Sequence, residues 1–268
     1  MKNQVVIVTG ASSGIGRALA FEMGQAGAKV VITGRSKARL QPVAQQLAAQ
    51  QIDHLVVEAD VSIEAHSQQM VQATIAQYGQ IDVLINNAGI GMRALFENLQ
   101  MDTFRQVMDI NFMGTVYATR YALPHILATK GSVVGISSIN GHRGTPARTA
   151  YTASKYAMNG FFEALRTEVM HRGVNVLVVS PGFTESNIRK NALNASGGQQ
   201  GESPRNESKM MSAEAVAKAV HRAIVKRKRL VVLTGLGKLA VWLNKWAPGL
   251  MDGMVYKEMA KEPDSPFK

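Results

Sequence analysis

Short runs rich in Val, Ile and Leu alternate with longer helical patterns along the whole chain, and this alternation limits the fold more than any other feature. Gln4–Thr9, Lys29–Thr33, Leu55–Glu58, Ile81–Ile85, Ser132–Ser137, Val174–Ser180 and Leu230–Thr234 read as strands. They are continuously apolar rather than alternating with polar residues, the pattern of strands covered on both faces, as in a parallel sheet. Helical patterns fill the gaps at about 14–26, 37–51, 64–78, 101–129, 149–171 and 213–226. Strand and helix in strict succession mean crossover units wound on both sides of one sheet. The expected fold class is therefore α/β: a single doubly wound domain with a seven-stranded, mostly parallel sheet and helices on both faces. It covers residues 1–235, with a mobile substrate loop at about 190–211 and an amphipathic tail at 236–268. The loop is expected from the stretch Asn194–Lys209, which has no large apolar residue.

Composition excludes several alternatives. Of 268 residues 46% are apolar, which supports a sizeable core, and none is cysteine, which removes disulfide frameworks and thiolate chemistry. The six histidines show no metal-ligand spacing, so no metal site is expected. The net charge of +11 is uneven: residues 205–268 hold 13 Lys/Arg against 6 Asp/Glu. Its densest part, Lys226-Arg227-Lys228-Arg229, reads as a solvated helix end, where cations suit the dipole. Nucleic acid is therefore not an expected partner.

The first strand runs into Thr9-Gly10-Ala11-Ser12-Ser13-Gly14-Ile15-Gly16, and a helix pattern follows at once. Glycines let the backbone approach a pyrophosphate, and the helix start supplies N–H donors and positive potential. The end of the second strand selects the cofactor. A carboxylate there would bind a ribose 2′-hydroxyl and repel a 2′-phosphate. This chain instead has Gly34-Arg35-Ser36, with Arg39 a turn later, and a guanidinium fork suits a phosphate. NADP(H) is thus expected over NAD(H). Arg17 is a second candidate phosphate contact, although an exposed first-turn arginine accounts for it more simply.

Tyr151 and Lys155 stand at i, i+4 on a predicted helix and share one face. Free tyrosine, with a pKa near ~10, is a poor base at neutral pH, and an ammonium one turn away favours its phenolate. Ser138 precedes them at the end of the fifth strand, where a hydroxyl faces the ligand crevice.

Together these segments resemble the short-chain dehydrogenase/reductase family, over roughly residues 1–190 and again near 230. Thr9–Gly16 is similar to its glycine turn, including Gly10, Ser12, Ser13, Gly14, Ile15 and Gly16. Asp60-Val61 matches its adenine-holding pair, and Asn86-Asn87-Ala88-Gly89 the segment lining the nucleotide site. Asn111 matches its helix asparagine, and Pro181-Gly182-Phe183-Thr184 the turn after the sixth strand, with Thr184 or Ser186 as the carboxamide contact. The resemblance implies a Rossmann-type NADP(H)-dependent oxidoreductase acting on a carbonyl or secondary alcohol. It implies Tyr151 as general acid/base, Lys155 as its modulator and ribose contact, Ser138 as carbonyl polariser and Asn111 as holder of a relay water. A homodimer or homotetramer is also implied. The alternatives are an NAD(H)-dependent alcohol dehydrogenase of the same family or a nucleotide-sensing protein without catalysis, and retention of Tyr151 and Lys155 speaks against the latter.

Three features stay outside these motifs. His142 is expected on a solvent-facing loop. Met92, Phe183 and Met210 either line an apolar pocket or belong to the core. In the tail, Leu236, Leu239, Leu243, Trp246 and Leu250 recur near helical spacing beside Lys238 and Lys245, with Trp242 four residues before Trp246. That face packs on the domain, on a partner subunit or peripherally on a membrane. The expected location is cytoplasmic, including a membrane surface.

Overall fold

A computed structural model describes residues 1–185, 188–201, 210–262, 265 and 267. Among them seven strands form one sheet: β1 (Val5–Thr9), β2 (Lys29–Gly34), β3 (His54–Glu58), β4 (Val83–Asn86), β5 (Ser132–Ile136), β6 (Asn175–Ser180) and β7 (Leu230–Val232). Their order is β3-β2-β1-β4-β5-β6-β7, and every pairing is parallel. The sheet is thus wholly rather than mostly parallel. The order reverses direction between β1 and β4, which opens a crevice at the strands' carboxyl ends.

Alternate residues of each strand serve opposite cores. Val6, Val8, Val30 and Ile32 pack against helices α1 (Gly14–Gln25), α2 (Lys37–Ala49) and α7 (Ala213–Val225). Val5, Ile7, Val31 and Leu84 pack on the other face against α3 (Glu64–Tyr78), α5 (Gly114–Thr129) and α6 (Thr149–Val169). Burial on both faces explains the unbroken apolar runs in the sequence.

One expected helix proves to be two. The stretch 101–129 divides into α4 (Met101–Met108) and α5, joined by a π-helical turn at Asp109–Met113. No Pro or Gly lies within that turn, so the residue pattern carries no breaker. Asn111 sits inside it and is fully buried. Such wide turns often mark functional positions.

Close approach of α6 to the sheet depends on Gly135 in β5. A Cβ there would lie 2.1 Å from the ring of Phe162, itself buried completely. The missing side chain lets α6 settle onto β5.

Beyond β7 the chain turns at Thr234, which has φ 69° and ψ 143°, a region that a β-branched residue rarely enters. The Thr234 hydroxyl accepts from Gly237 N at 3.1 Å and caps α8 (Gly235–Trp246). Pro248 at the start of α9 (Pro248–Ala260) forces a new helix rather than one continuous tail, as expected for Pro in a first turn. Of the predicted loop at 190–211, residues 202–209 lie outside the described residues. The preceding part is tied down: Leu193 N donates to Gly91 O at 3.0 Å, and Gln200 N to Ala192 O at 2.8 Å.

Candidate active site

The carboxyl ends of the strands open into one large cavity of about 1010 Å³. The turn after β1 forms one end. Gly10 has φ +67°, and a Cβ on Gly16 would lie 2.2 Å from Gly10 O and 2.5 Å from Asn87 Nδ2. Only glycine allows this approach, and it leaves a shallow cradle against the amides that open α1. Gly10, Ser12, Ser13, Gly14, Ile15 and Gly16 all line the cavity, and the first turn of α1 carries no acidic side chain. An uncontested helix start of this shape fits the pyrophosphate of a dinucleotide.

Thr9, which sequence reasoning passed over as an anchor, builds that end. Its Oγ1 accepts from both Asn87 N and Ala88 N at 3.0 Å. Asn87 Nδ2 donates to Thr9 O at 2.8 Å and to Gly10 O at 3.2 Å. The segment after β4 is thereby locked to the glycine turn, with Ala88 and Gly89 facing the cavity.

Arg35 and Arg39 stand exposed at the carboxyl end of β2, both on the cavity wall, with Ser36 Oγ capping α2 by accepting from Arg39 N at 3.4 Å. No carboxylate occupies that strand end. Val61 also lines the cavity. The neighbouring Asp60 turns its carboxylate to Ser62, accepting from its N at 3.0 Å and Oγ at 2.6 Å, and borders a smaller depression of about 280 Å³ beside Arg35. Arg17 is placed elsewhere: it donates to Gln46 Oε1 at 2.7 Å and lies over the Phe21 ring.

Ser138, Tyr151 and Lys155 all line the cavity. Ser138 follows β5; its Oγ accepts from Asn140 N at 3.1 Å and hydrogen-bonds Tyr151. Lys155 is buried and donates from Nζ to Ile136 O at 2.9 Å, while Nζ lies 5.7 Å from the Tyr151 ring centre. Burial lowers the Lys155 pKa to about 8. Burial raises that of Tyr151, opposed by its bond to Ser138 and then by the charges of Arg148 and Arg189. The two arginines were not expected from the sequence. Nothing near Tyr151 in the chain marks Arg189, which reaches it only through the fold.

Asn111 lies behind this trio. Its Oδ1 accepts from Ile90 N at 2.8 Å, and its Nδ2 donates to Ile90 O and Ser154 Oγ, each at 3.0 Å. A Cβ on Gly89 would meet Asn111 Oδ1 at 3.2 Å and Lys155 Nζ at 3.7 Å, so both groups crowd the same glycine. Pro181, Gly182, Phe183 and Thr184 line the cavity opposite; Thr184 Oγ1 donates to Gly182 O at 3.2 Å. Ser186 lies outside the described residues.

His142 departs from expectation. Rather than facing solvent it is half-buried, with Nε2 2.9 Å from Ser180 Oγ and 3.5 Å from Asn159 Nδ2. Burial lowers its pKa. Of the open apolar candidates, Met92 and Phe183 line the cavity, Met92 also being buried in a small local core; Met210 does not line it. The tail, by contrast, closes the cavity's outer side through Leu236, Ala240, Met251, Val255 and Met259.

Taken chemically, a phenol, a hydroxyl and an ammonium meet at one end of a dinucleotide-shaped cradle. They can donate a proton to, and polarise, an oxygen placed between Ser138 and Tyr151. Among the described residues no group of three His, Asp or Glu could hold a metal.

Comparison with known proteins agrees. The family model for short chain dehydrogenase matches residues 4–196. Dehydrogenase/reductase SDR family member 7B of Mus musculus is 38% identical over 275 residues, covering 99% of this chain and 84% of that protein. The 11-beta-hydroxysteroid dehydrogenase A of Sesamum indicum is 32% identical, covering 99% and 78%. In fold, the chain resembles a short chain dehydrogenase/reductase from Burkholderia phymatum in complex with NAD, with a TM-score of 0.84, 24% identity and coverage of 93% and 95%. It also resembles an alcohol dehydrogenase from Thermococcus sibiricus complexed with 5-hydroxy-NADP, with a TM-score of 0.77, 22% identity and coverage of 87% and 96%.

Proposed function

This chain belongs to the short-chain dehydrogenase/reductase family of nicotinamide-dependent oxidoreductases, and from that premise we propose that it interconverts a bulky apolar carbonyl compound and its secondary alcohol with NADP(H) as the preferred cofactor. The observation that carries the cofactor choice is the end of β2. Arg35 and Arg39 flank the cavity there with no carboxylate on the strand end, so a 2′-phosphate meets two guanidinium groups rather than the acid that would repel it.

When bound, the nicotinamide supplies or accepts the hydride. The chain's own residues manage the oxygen. Ser138 donates a hydrogen bond to it, and Tyr151 delivers its proton during reduction or removes it during oxidation. Lys155, held on Ile136 O, keeps positive charge beside the phenol. Asn111 is assigned the inner end of a proton route past Gly89. The apolar wall formed by Met92, Phe183, Leu236, Met251 and Val255 favours a large hydrophobic substrate body. The hydroxysteroid dehydrogenase name of one relative is consistent with that choice. The test is a panel of ketones and alcohols of increasing apolar bulk, followed by nicotinamide absorbance with each cofactor. Efficient turnover with NADH and little with NADPH would refute the cofactor assignment.

A peripheral membrane contact is also favoured by one observation. Leu236, Leu239, Trp242, Trp246 and Leu250 are all exposed along α8 and its junction with α9, and Trp242 and Trp246 are 58% and 69% exposed. Lys238 and Lys245 lie among them, with the Lys245 ammonium over the Trp246 ring. Among the described residues no helix is long and apolar enough to cross a membrane, so contact would be with its surface. Flotation with anionic vesicles tests this: the chain co-floats at low salt, and Trp242→Ala with Trp246→Ala abolishes it. An intact chain that stays in the dense fraction would exclude the contact.

A further inference from the structure

We propose that Glu262 is a positioning residue for the chemistry at Tyr151: from the C-terminal segment, its buried carboxylate clamps Arg93 and Arg148 into the wall of the substrate chamber. The proposal rests on the carbonyl/alcohol reading of that chamber and adds a residue far from every motif that identified it.

Three separate parts of the chain meet in this cluster. Arg93 belongs to the connection after β4, Arg148 stands just before α6 and three residues ahead of Tyr151, and Glu262 follows α9. A Glu262 oxygen lies 3.5 Å from Arg93 and 3.4 Å from Arg148. The side chains are 4% exposed for Glu262, 11% for Arg93 and 18% for Arg148. A carboxylate so enclosed is stable only with compensating charge, and each pairing therefore holds its partners firmly.

The backbone around the arginines is equally constrained. Ala94 N donates to Ala147 O at 3.0 Å, and Arg93 N to Leu193 O at 2.8 Å. Ala147, immediately before Arg148, is buried with φ 58°. A non-glycine residue in this conformation costs roughly 1–2 kcal/mol, and it persists where its surroundings fix it. Ala147 and the clamp together fix where the Arg148 guanidinium stands relative to the phenol.

The charged and hydrogen-bonding groups around Tyr151 come from several elements. Lys155 lies on its own helix, Arg148 just before it, Ser138 after β5 and Arg189 after β6. Glu262 pairs with Arg148, and Glu258 on α9 also faces the chamber. Glu262 thus offsets part of the positive field that Arg148 places on the phenol. A further ion pair from the tail to this wall, Asp252 with Arg143, is different in kind. Asp252 is 71% exposed, and solvent screens it.

The experiment compares full-length wild type with Glu262→Gln, Glu262→Asp and Asp252→Asn. NADPH affinity, kcat and KM, and the pH dependence of reduction are measured for each. In parallel, Tyr151 ionisation is read by ultraviolet difference titration against the same protein carrying Tyr151→Phe. In Glu262→Gln, NADPH affinity should stay within about twofold and kcat/KM fall about tenfold. Both the alkaline limb of reduction and the Tyr151 titration should move to lower pH, because Arg148 then acts on the phenol with less opposition. Glu262→Asp should restore the wild-type limb, and Asp252→Asn should leave it in place. Should Glu262→Gln fail to fold, Arg148→Gln carries the test in the opposite direction, moving the titration to higher pH. An unmoved titration in whichever of these two variants folds would overturn the proposal, as would a tenfold loss that Asp252→Asn reproduces. Absence of carbonyl turnover in wild type would instead refute the reading of the chamber, while the titration still judges Glu262.

Discussion

The Lys155 ammonium donates to the carbonyl of Ile136 at 2.9 Å, so the lysine beside the Tyr151 phenol is held against the last residue of β5. A cation enclosed in that position is held against the stability of the fold. Burial lowers its pKa from 10.5 to about 8. Below about 8 both folded and unfolded chains carry the proton, and the folded state bears the cost of an enclosed charge. Between about 8 and 10.5 the unfolded chain binds more protons, so stability rises with pH. Lys155→Met should therefore abolish turnover yet melt higher than wild type without cofactor at neutral pH, by up to roughly 3 kcal/mol. The gap should close as pH rises through that window. Thermal melts of both proteins across the window check it.

Replacement of Tyr151 by Phe removes the proton donor and leaves the ring. Turnover should fall by about 10²–10⁴-fold, while NADPH affinity changes little. Single-turnover nicotinamide absorbance, paired with a direct binding titration, separates the two effects. A mutant that still reduces carbonyls at the wild-type rate would remove Tyr151 from the mechanism.

At the other end of the cavity, Arg35→Asp puts a carboxylate where a 2′-phosphate is expected. Affinity for NADPH should drop at least about tenfold, with loss of one charge-assisted contact and gain of repulsion. Affinity for NADH should hold or improve. Fluorescence titration with each cofactor gives the ratio directly.

Gly135→Ala tests the seating of α6. An added methyl 2.1 Å from the Phe162 ring forces either helix or ring to move. A loss of about 1–3 kcal/mol is expected, with reduced activity because Tyr151 and Lys155 travel with the helix. Phe162→Leu in the same chain should recover part of the stability, as measured by denaturant midpoints.

His142 predicts an acid sensitivity. Its pKa is lowered by burial, so its contribution to stability is present above the unfolded value of about 6.5 and lost as pH falls through the folded one. His142→Asn should flatten the fall in melting temperature between about pH 7.5 and pH 5. A slope identical to wild type would mean that other groups govern it.

Much of this architecture is written locally. β1, β2 and β5 announce themselves because both faces of each must be apolar, and the turn from Gly10 to Gly16 because no other residue permits that approach to Asn87. Tyr151 and Lys155 are legible from their spacing. What escaped was set by tertiary partners. The π-helical turn around Asn111 is selected by hydrogen bonds to Ile90 and Ser154, which lie 21 and 43 residues away. His142 turns inward because Ser180, 38 residues on, offers it a partner. Arg148 pairs with Glu262, 114 residues later, a partner that no local stretch of sequence displays.

The turn at Thr234 makes the chain's last part a separable module. Upstream of it stand the glycine turn, the arginines after β2 and the trio of Ser138, Tyr151 and Lys155, all lining the cavity and proposed above to hold the cofactor and move the proton. Downstream, α8 and α9 supply the outer apolar wall, and Asn244, Asp252 and Glu262 tie this part to Arg143, to His142 O and to Arg148 in the loop at 142–148, and to Arg93 after β4. Grafting the segment after Thr234 from a relative should therefore exchange the range of substrates accepted while the preference for one nicotinamide cofactor travels with the recipient.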